Sequence, residues 1–265
     1  MTFAFISKKF RVLVFCGWTV LLSGCSSLMF YQASEPKSEV VIHEKLGEEL
    51  FSILKSKIAL KQDPEILQYL HTLGESLAQG TDELQKIPIH IELLQDVNQK
   101  WQSYSLPGHK IFLSTGLLKR AQYENEIAAV LAIQFGHILN NNMVKRFWEL
   151  ENENRSSRGP YRKMASYPLR SLEDVQEFFQ FSEAHDVSAF RTGVDVLYRA
   201  GYDVRGLVSI CDIFNKNQKY SPYSSDRISE LLENVRHEIA MYPPLRNPII
   251  KSHKFISVQK RIQRL

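Results

Sequence analysis

The chain has 265 residues, with 33 Lys and Arg against 29 Asp and Glu and a formal charge of +4. Three of the cations, Lys8, Lys9 and Arg11, precede Cys25, and without them 30 basic side chains stand against 29 acidic ones. That balance lacks the cationic footprint of a nucleic-acid binder, and the length after Cys25 suits one sizeable domain without repeats or low-complexity tracts.

Residues 1–24 read as a secretory signal peptide: a basic start, an apolar run from Val12 to Leu22, then small residues before Cys25. The run is too short to span a bilayer comfortably. Leu22-Ser23-Gly24-Cys25 resembles a bacterial lipobox, which implies cleavage before Cys25, lipidation of its thiol and a lipidated tether over 25–38. An ordinary signal peptide that happens to end in cysteine is the other reading. Several acyl chains on one cysteine would hold the protein stably at a membrane, since one chain alone is marginal. Ser26 resembles the sorting signal for the outer membrane, so the implied address is the cell envelope, at that membrane's periplasmic face. Cys211, in the apolar stretch Leu207–Phe214, is the one thiol outside these segments and is expected to be buried and inert.

The domain proper is expected over 39–242. Helical apolar spacing runs from Val41 to Leu60, and Asp63-Pro64 supplies an N-cap and first turn for a second helix ending near Gly80. Residues 88–94, 101–106 and 110–114 alternate as strands, with Pro107-Gly108 as a turn between the last two. A buried helix is expected over 124–140, a surface loop over 149–167, a long helix over 172–200 closed by Gly201, and two shorter helices over 204–216 and 225–240. Residues 243–265 read as a basic tail, because 246–265 carries six Lys or Arg and no acid. A solvated tail and contact with anionic lipid are both open for it. Helices, then a small sheet, then helices is an α+β order.

Within the buried helix, residues 130–139 read V-L-A-I-Q-F-G-H-I-L. In the zinc-protease motif H-E-x-x-H, two histidines at i and i+4 share a helix face and bind the metal, and the intervening Glu is the general base. Here His137 occupies the second histidine position, Ile133 the first and Gln134 that of the base. Ile133 has no lone pair to give, and an amide takes no proton from bound water at neutral pH.

Several ordered motifs surround that helix. L-P-G-H-K-I-F-L-S-T-G-L-L at 106–118, E-N-E-I-A-A-V-L-A-I-Q-F-G-H at 124–137, S-A-F-R-T-G-V-D-V-L-Y-R-A-G-Y-D at 188–203 and P-Y-S-S-D-R-I at 222–228 together resemble metallopeptidase family 48 (HtpX-like and CAAX prenyl protease relatives, with many periplasmic lipoproteins). Glu44-Lys45-Leu46-Gly47 fits the family's N-terminal helix, so the likeness covers about 44–228. It implies a zincin-like metallopeptidase fold, mostly helical, with a small β-sheet beside the active-site helix.

The likeness breaks at the chemistry. Carried over position by position, the family's third zinc ligand falls on Ser188 and the Asp two residues later on Phe190, while Pro107, Gly108, Gly116, Gly136, Gly193, Gly201 and Arg227 persist. A catalytic zinc needs three protein ligands and an open water position, and a general base alone contributes roughly 10²–10⁴ in rate. No catalytic residue and no metal cofactor are therefore expected. A displaced zinc site built from His137, His185 and His109, the last standing where the family has a glycine, is the alternative.

In the family, an extended peptide adds to the strand bordering the cleft through main-chain hydrogen bonds, which needs no metal. The matching residues here are Trp101, Gln102, Ser103, Tyr104 and Ser105, whose aromatics either grip a polypeptide or pack in the core. Some lipoprotein relatives handle outer-membrane proteins in a chaperone-like way. The leading expectation is thus a lipid-anchored envelope protein with a catalytically inactive, metallopeptidase-like domain that binds or helps assemble polypeptides. The rival is an active zinc-dependent endopeptidase with a rearranged site, and a purely structural envelope protein is a third reading.

Overall fold

The computed structural model describes residues 37–86, 88–95, 100–155 and 179–265, with side chains from Leu46 on and none over 151–155. The signal peptide, Cys25 and most of the tether lie outside the described residues, as does most of the expected loop. The chain divides into Met1–Val41 and a compact unit from Ile42 to Leu265.

In chain order the elements are α1 (Lys37–Lys57), β1 (Leu60–Lys61), α2 (Pro64–Ala78), α3 (Asp82–Gln85), β2 (His90–Leu94), β3 (Tyr104–Leu106), β4 (Lys110–Ser114), α4 (Thr115–Leu118), α5 (Glu124–Leu139), α6 (Asn142–Arg155), α7 (Glu183–Arg199), α8 (Gly206–Lys216), α9 (Ser225–Ala240) and α10 (His253–Ile262). The architecture is α+β: helices around a four-stranded mixed sheet of order β1-β2-β4-β3. β2 and β4 run parallel, with His90 opposite Lys110 and Leu94 opposite Ser114, and β3 pairs antiparallel to β4.

The sheet separates two cores because strand side chains alternate. Ile91, Leu93, Ile111 and Leu113 face the helices α2, α5, α7, α8, α9 and α10. Leu94, Tyr104, Leu106 and Phe112 face the other way, against Leu46, Leu50 and Leu54 of α1 and Met143 and Val144 of α6. α5 is buried along almost its whole length, so it carries no polar face. Its backbone meets that of α7 closely: a Cβ on Gly136 would lie 2.1 Å from the Ala189 carbonyl oxygen.

Local signals explain the element starts. Asp63 accepts from the Ile66 N–H at 3.2 Å with Pro64 in the first turn. Glu126 accepts from the N–H groups of Gln122 and Tyr123 and closes the start of α5. Ser224 caps α9 through the Arg227 N–H. The turn between β3 and β4 puts both Gly108 (φ 77) and His109 (φ 55) in the left-handed region. A non-glycine residue there costs roughly 1–2 kcal/mol, which explains why a glycine suits the position His109 takes.

Four expectations are corrected. Glu149 to Arg155 continues α6 rather than beginning a loop. α7 starts at Glu183 with Ser182 as its cap, and Gln180 to Ser182 are not helical. Only Tyr104–Leu106 of the strand expected from Trp101 pairs in the sheet. Residues 253–262 are not a loose tail: α10 buries Phe255, Val258 and Ile262, packs on α2, and sends Arg261 to Asp63 and Glu65 at 2.8 and 2.9 Å.

Candidate functional site

The face of α5 that carries Val130, Ile133, Gln134 and His137 forms one wall of a cavity of about 310 Å³. α7 supplies Asp186 and, one turn on, Phe190; α9 supplies Arg227; the segment before β3 supplies Trp101, Gln102 and Ser103. Phe179 and Phe181 come from the segment leading into α7.

His137 is fully enclosed. Its ring stacks on Phe181 at 4.2 Å between centroids, and Asn142 Nδ2 lies 3.1 Å from His137 Nδ1. The same amide nitrogen donates to the His185 carbonyl at 2.9 Å, so it is the donor toward the imidazole. Nδ1 is therefore the acceptor, and the ring proton sits on Nε2, which points at Asp186 Oδ1 3.8 Å away. A zinc-ligating histidine has the opposite arrangement, giving its second N–H to an acceptor while the free nitrogen faces the metal. Burial, with the His185 charge second, lowers the His137 pKa from 6.5 to about 3, which keeps the ring neutral.

Asp186 is the one acid on the inward row of α7 and is itself engaged. Arg227 Nη2 donates to its Oδ2 at 3.1 Å, and the same guanidinium reaches Glu230 at 2.9 Å and Glu183 at 3.5 Å. Burial, with the Glu230 charge second, pushes the Asp186 carboxyl up. Gln134 Oε1 is buried without a hydrogen-bond partner among the described residues, so an acceptor is left where the family's base belongs.

The residues expected from the sequence are only partly brought together. Ile133, Gln134, His137 and Phe190 line the cavity. Ser188 does not: its Oγ donates to the His185 carbonyl at 2.9 Å, and it lines a separate depression with Arg191 and Asp195. Two residues of helix turn a side chain by about 200°, so the α7 carboxylate facing His137 is Asp186. That correction had a signal in the sequence: a charge on the otherwise apolar row Asp186, Phe190, Gly193, Leu197. His185 turns its Nε2 to Glu149 at 3.6 Å, with Phe181 between it and His137. His109 lies in the β3–β4 turn and does not line the cavity. Among the described residues, no group of three His, Cys, Asp or Glu is placed to share a metal ion.

The expected peptide-gripping segment is also revised. Tyr104 is buried against Phe179 at 4.7 Å, and Ser105 is buried in β3. Trp101 is buried, stacks on Tyr220 at 5.0 Å and lines the cavity. Gln102 and Ser103 remain partly exposed there, with Gln102 Nε2 donating to the Phe179 carbonyl and Ser103 Oγ accepting from the Ser114 N–H.

The model of peptidase family M48 matches residues 67–235, well over half of the chain. The chain belongs to peptidase family M48. The chain is 22% identical over 236 residues, 79% of this chain and 47% of the relative, to the putative beta-barrel assembly-enhancing protease of Vibrio cholerae. Against the beta-barrel assembly-enhancing protease of Escherichia coli K12 the figures are 21% over 192 residues, 67% of this chain and 38% of the relative. The chain thus spans less than half the length of these curated relatives.

Zinc is the metal the M48 family implies, and the residues present do not fit it. One donor position is a hydrocarbon, His137 turns a protonated nitrogen to the cavity, and Asp186 is bound by a guanidinium. Two engaged donors fall short of the three open ones a catalytic zinc takes.

Proposed function

We propose that this M48 protein is a non-catalytic, lipid-anchored factor of the bacterial cell envelope that binds polypeptides, those of β-barrel assembly above all, without cutting them. The observation that carries the reading is the closed circuit Asn142–His137···Asp186–Arg227 beside Ile133. The one family donor that remains, His137, and the carboxyl that faces it, Asp186, are both engaged by protein groups, and restoring a site needs changes at several positions at once.

The client class comes from the relatives, whose names tie them to β-barrel assembly. The mode comes from the sheet. β3 is at its edge, and the segment leading into it borders the cavity, so an extended chain can add along it through main-chain hydrogen bonds. The membrane address rests on the lipobox-like Leu22–Cys25 and the outer-membrane type Ser26.

A photo-crosslinking residue in place of Ser103, in the purified protein mixed with a urea-denatured outer-membrane β-barrel protein, tests this. The expected result is one full-length adduct with no client fragments. Client fragments that appear with zinc and vanish with chelator contradict the reading, as does the absence of any adduct at Ser103.

A further inference from the structure

Six large apolar side chains are exposed among the described residues, and four of them lie on one side of the molecule: Tyr123 (42%), Ile249 (36%), Ile250 (38%) and Ile256 (57%). Their grouping is fixed by the fold. The Ile250 carbonyl accepts from the Glu124 N–H, Ile249 bridges to Gly201 and Asp203, Lys251 lies over the Tyr123 ring at 4.5 Å, and Gln259 Nε2 donates to the Gln122 carbonyl.

α10 continues this surface. With Phe255, Val258 and Ile262 turned inward, the outward row is His253, Ile256, Ser257, Lys260 and Arg264, with Lys254 at its flank. The acids nearby are already engaged: Glu124 accepts from Ser252 and Tyr69, and Asp63 and Glu65 take Arg261. Lys251, Lys254, Lys260 and Arg264 make no ion pair among the described residues. Exposed isoleucines and a tyrosine within a cationic field are the composition of an element that lies in a membrane interface.

We propose that this face, Tyr123 with Ile249–Lys251 and the outer row of α10, docks onto an anionic phospholipid surface. Neighbouring isoleucines enter the acyl boundary, the tyrosine sits at headgroup level, and the lysines and Arg264 meet the lipid phosphates. A cationic side chain at such a surface strengthens partitioning about fivefold. Four together are sufficient to hold one face of the domain down, at an attraction that salt screens. The inference takes from the lipid-anchored reading only that a bilayer is within reach, and its test reads this face separately from any N-terminal anchor.

The test uses the full chain with Cys16→Ser and Cys25→Ser, leaving the buried Cys211, and with Ile256→Cys carrying a polarity-sensitive fluorophore. It is mixed with vesicles of phosphatidylethanolamine and phosphatidylglycerol, or of phosphatidylcholine, and flotation is read beside the emission. The expected result is blue-shifted emission in the anionic vesicles alone, reversed by high salt. It should also be lost in Lys251→Glu/Lys254→Glu/Lys260→Glu/Arg264→Glu, whose melting curve matches the parent. Water-like emission in both vesicle types overturns the proposal, as does an equal, salt-independent shift in the neutral lipid. A shift that appears only on adding an acidic protein assigns the face to a protein partner instead and overturns it too.

Discussion

At position 137 the fold keeps a histidine and reverses its hydrogen bonding. Asn142 donates into Nδ1 and the protonated nitrogen looks toward Asp186, so the side chain serves the structure of the buried α5–α7 junction. Replacing Asn142 by Ala leaves His137 Nδ1 without its donor in a buried place, while the His185 carbonyl keeps Ser188 Oγ, at a cost of about 1–3 kcal/mol; denaturant titration should show a lowered midpoint. The depressed pKa of His137, about 3 against 6.5 in the unfolded chain, sets a direction with pH. Between those values the unfolded state binds the proton and the folded state does not, so stability is full above 6.5 and falls as the pH drops. From pH 7 to pH 5 this contributes a loss of about 2 kcal/mol. Denaturation of the parent and of His137→Gln at both pH values should show that extra acid sensitivity in the parent alone.

The individual residues were unevenly legible. Ile133 and Gln134 declare the missing ligand and base in any reading of the helix. Asp186 left one signal, a charge on an apolar row, but its place opposite His137 comes from the pitch of α7. Arg227 was visible as a persistent position, but its grip on three carboxylates is a tertiary fact.

Among the elements, α2, α5 and α9 could be read closely because an Asp-Pro start, an unbroken apolar run and a serine cap each act locally. The polar end of α6 was taken for loop, since charge there describes solvent exposure rather than chain direction. The spacing Phe255, Val258, Ile262 was likewise masked by six cations. If α10 is an integral part of the domain, Phe255→Ala removes a fully buried ring and costs about 3–5 kcal/mol, readable as a clear fall in the thermal midpoint; a loose tail would show no change. Gly136→Ala tests the closest approach of α5 and α7. Its methyl group meets the Ala189 backbone at 2.1 Å, and neither backbone can yield as a side-chain tip does. A loss of about 1–3 kcal/mol is expected by calorimetry.

For the whole molecule, the α+β class and the M48 family were both legible, because they rest on element order and on motifs spread along the chain. The two-sided packing of the sheet was not, since it depends on α1 and α6 closing one face while the remaining helices close the other. On the proposed reading, the M48 architecture persists here without its metal. Elemental analysis of the purified chain after equilibration with excess zinc and gel filtration tests it most directly. The expected result is no stoichiometric zinc. One tightly held zinc in the natural protein would contradict it.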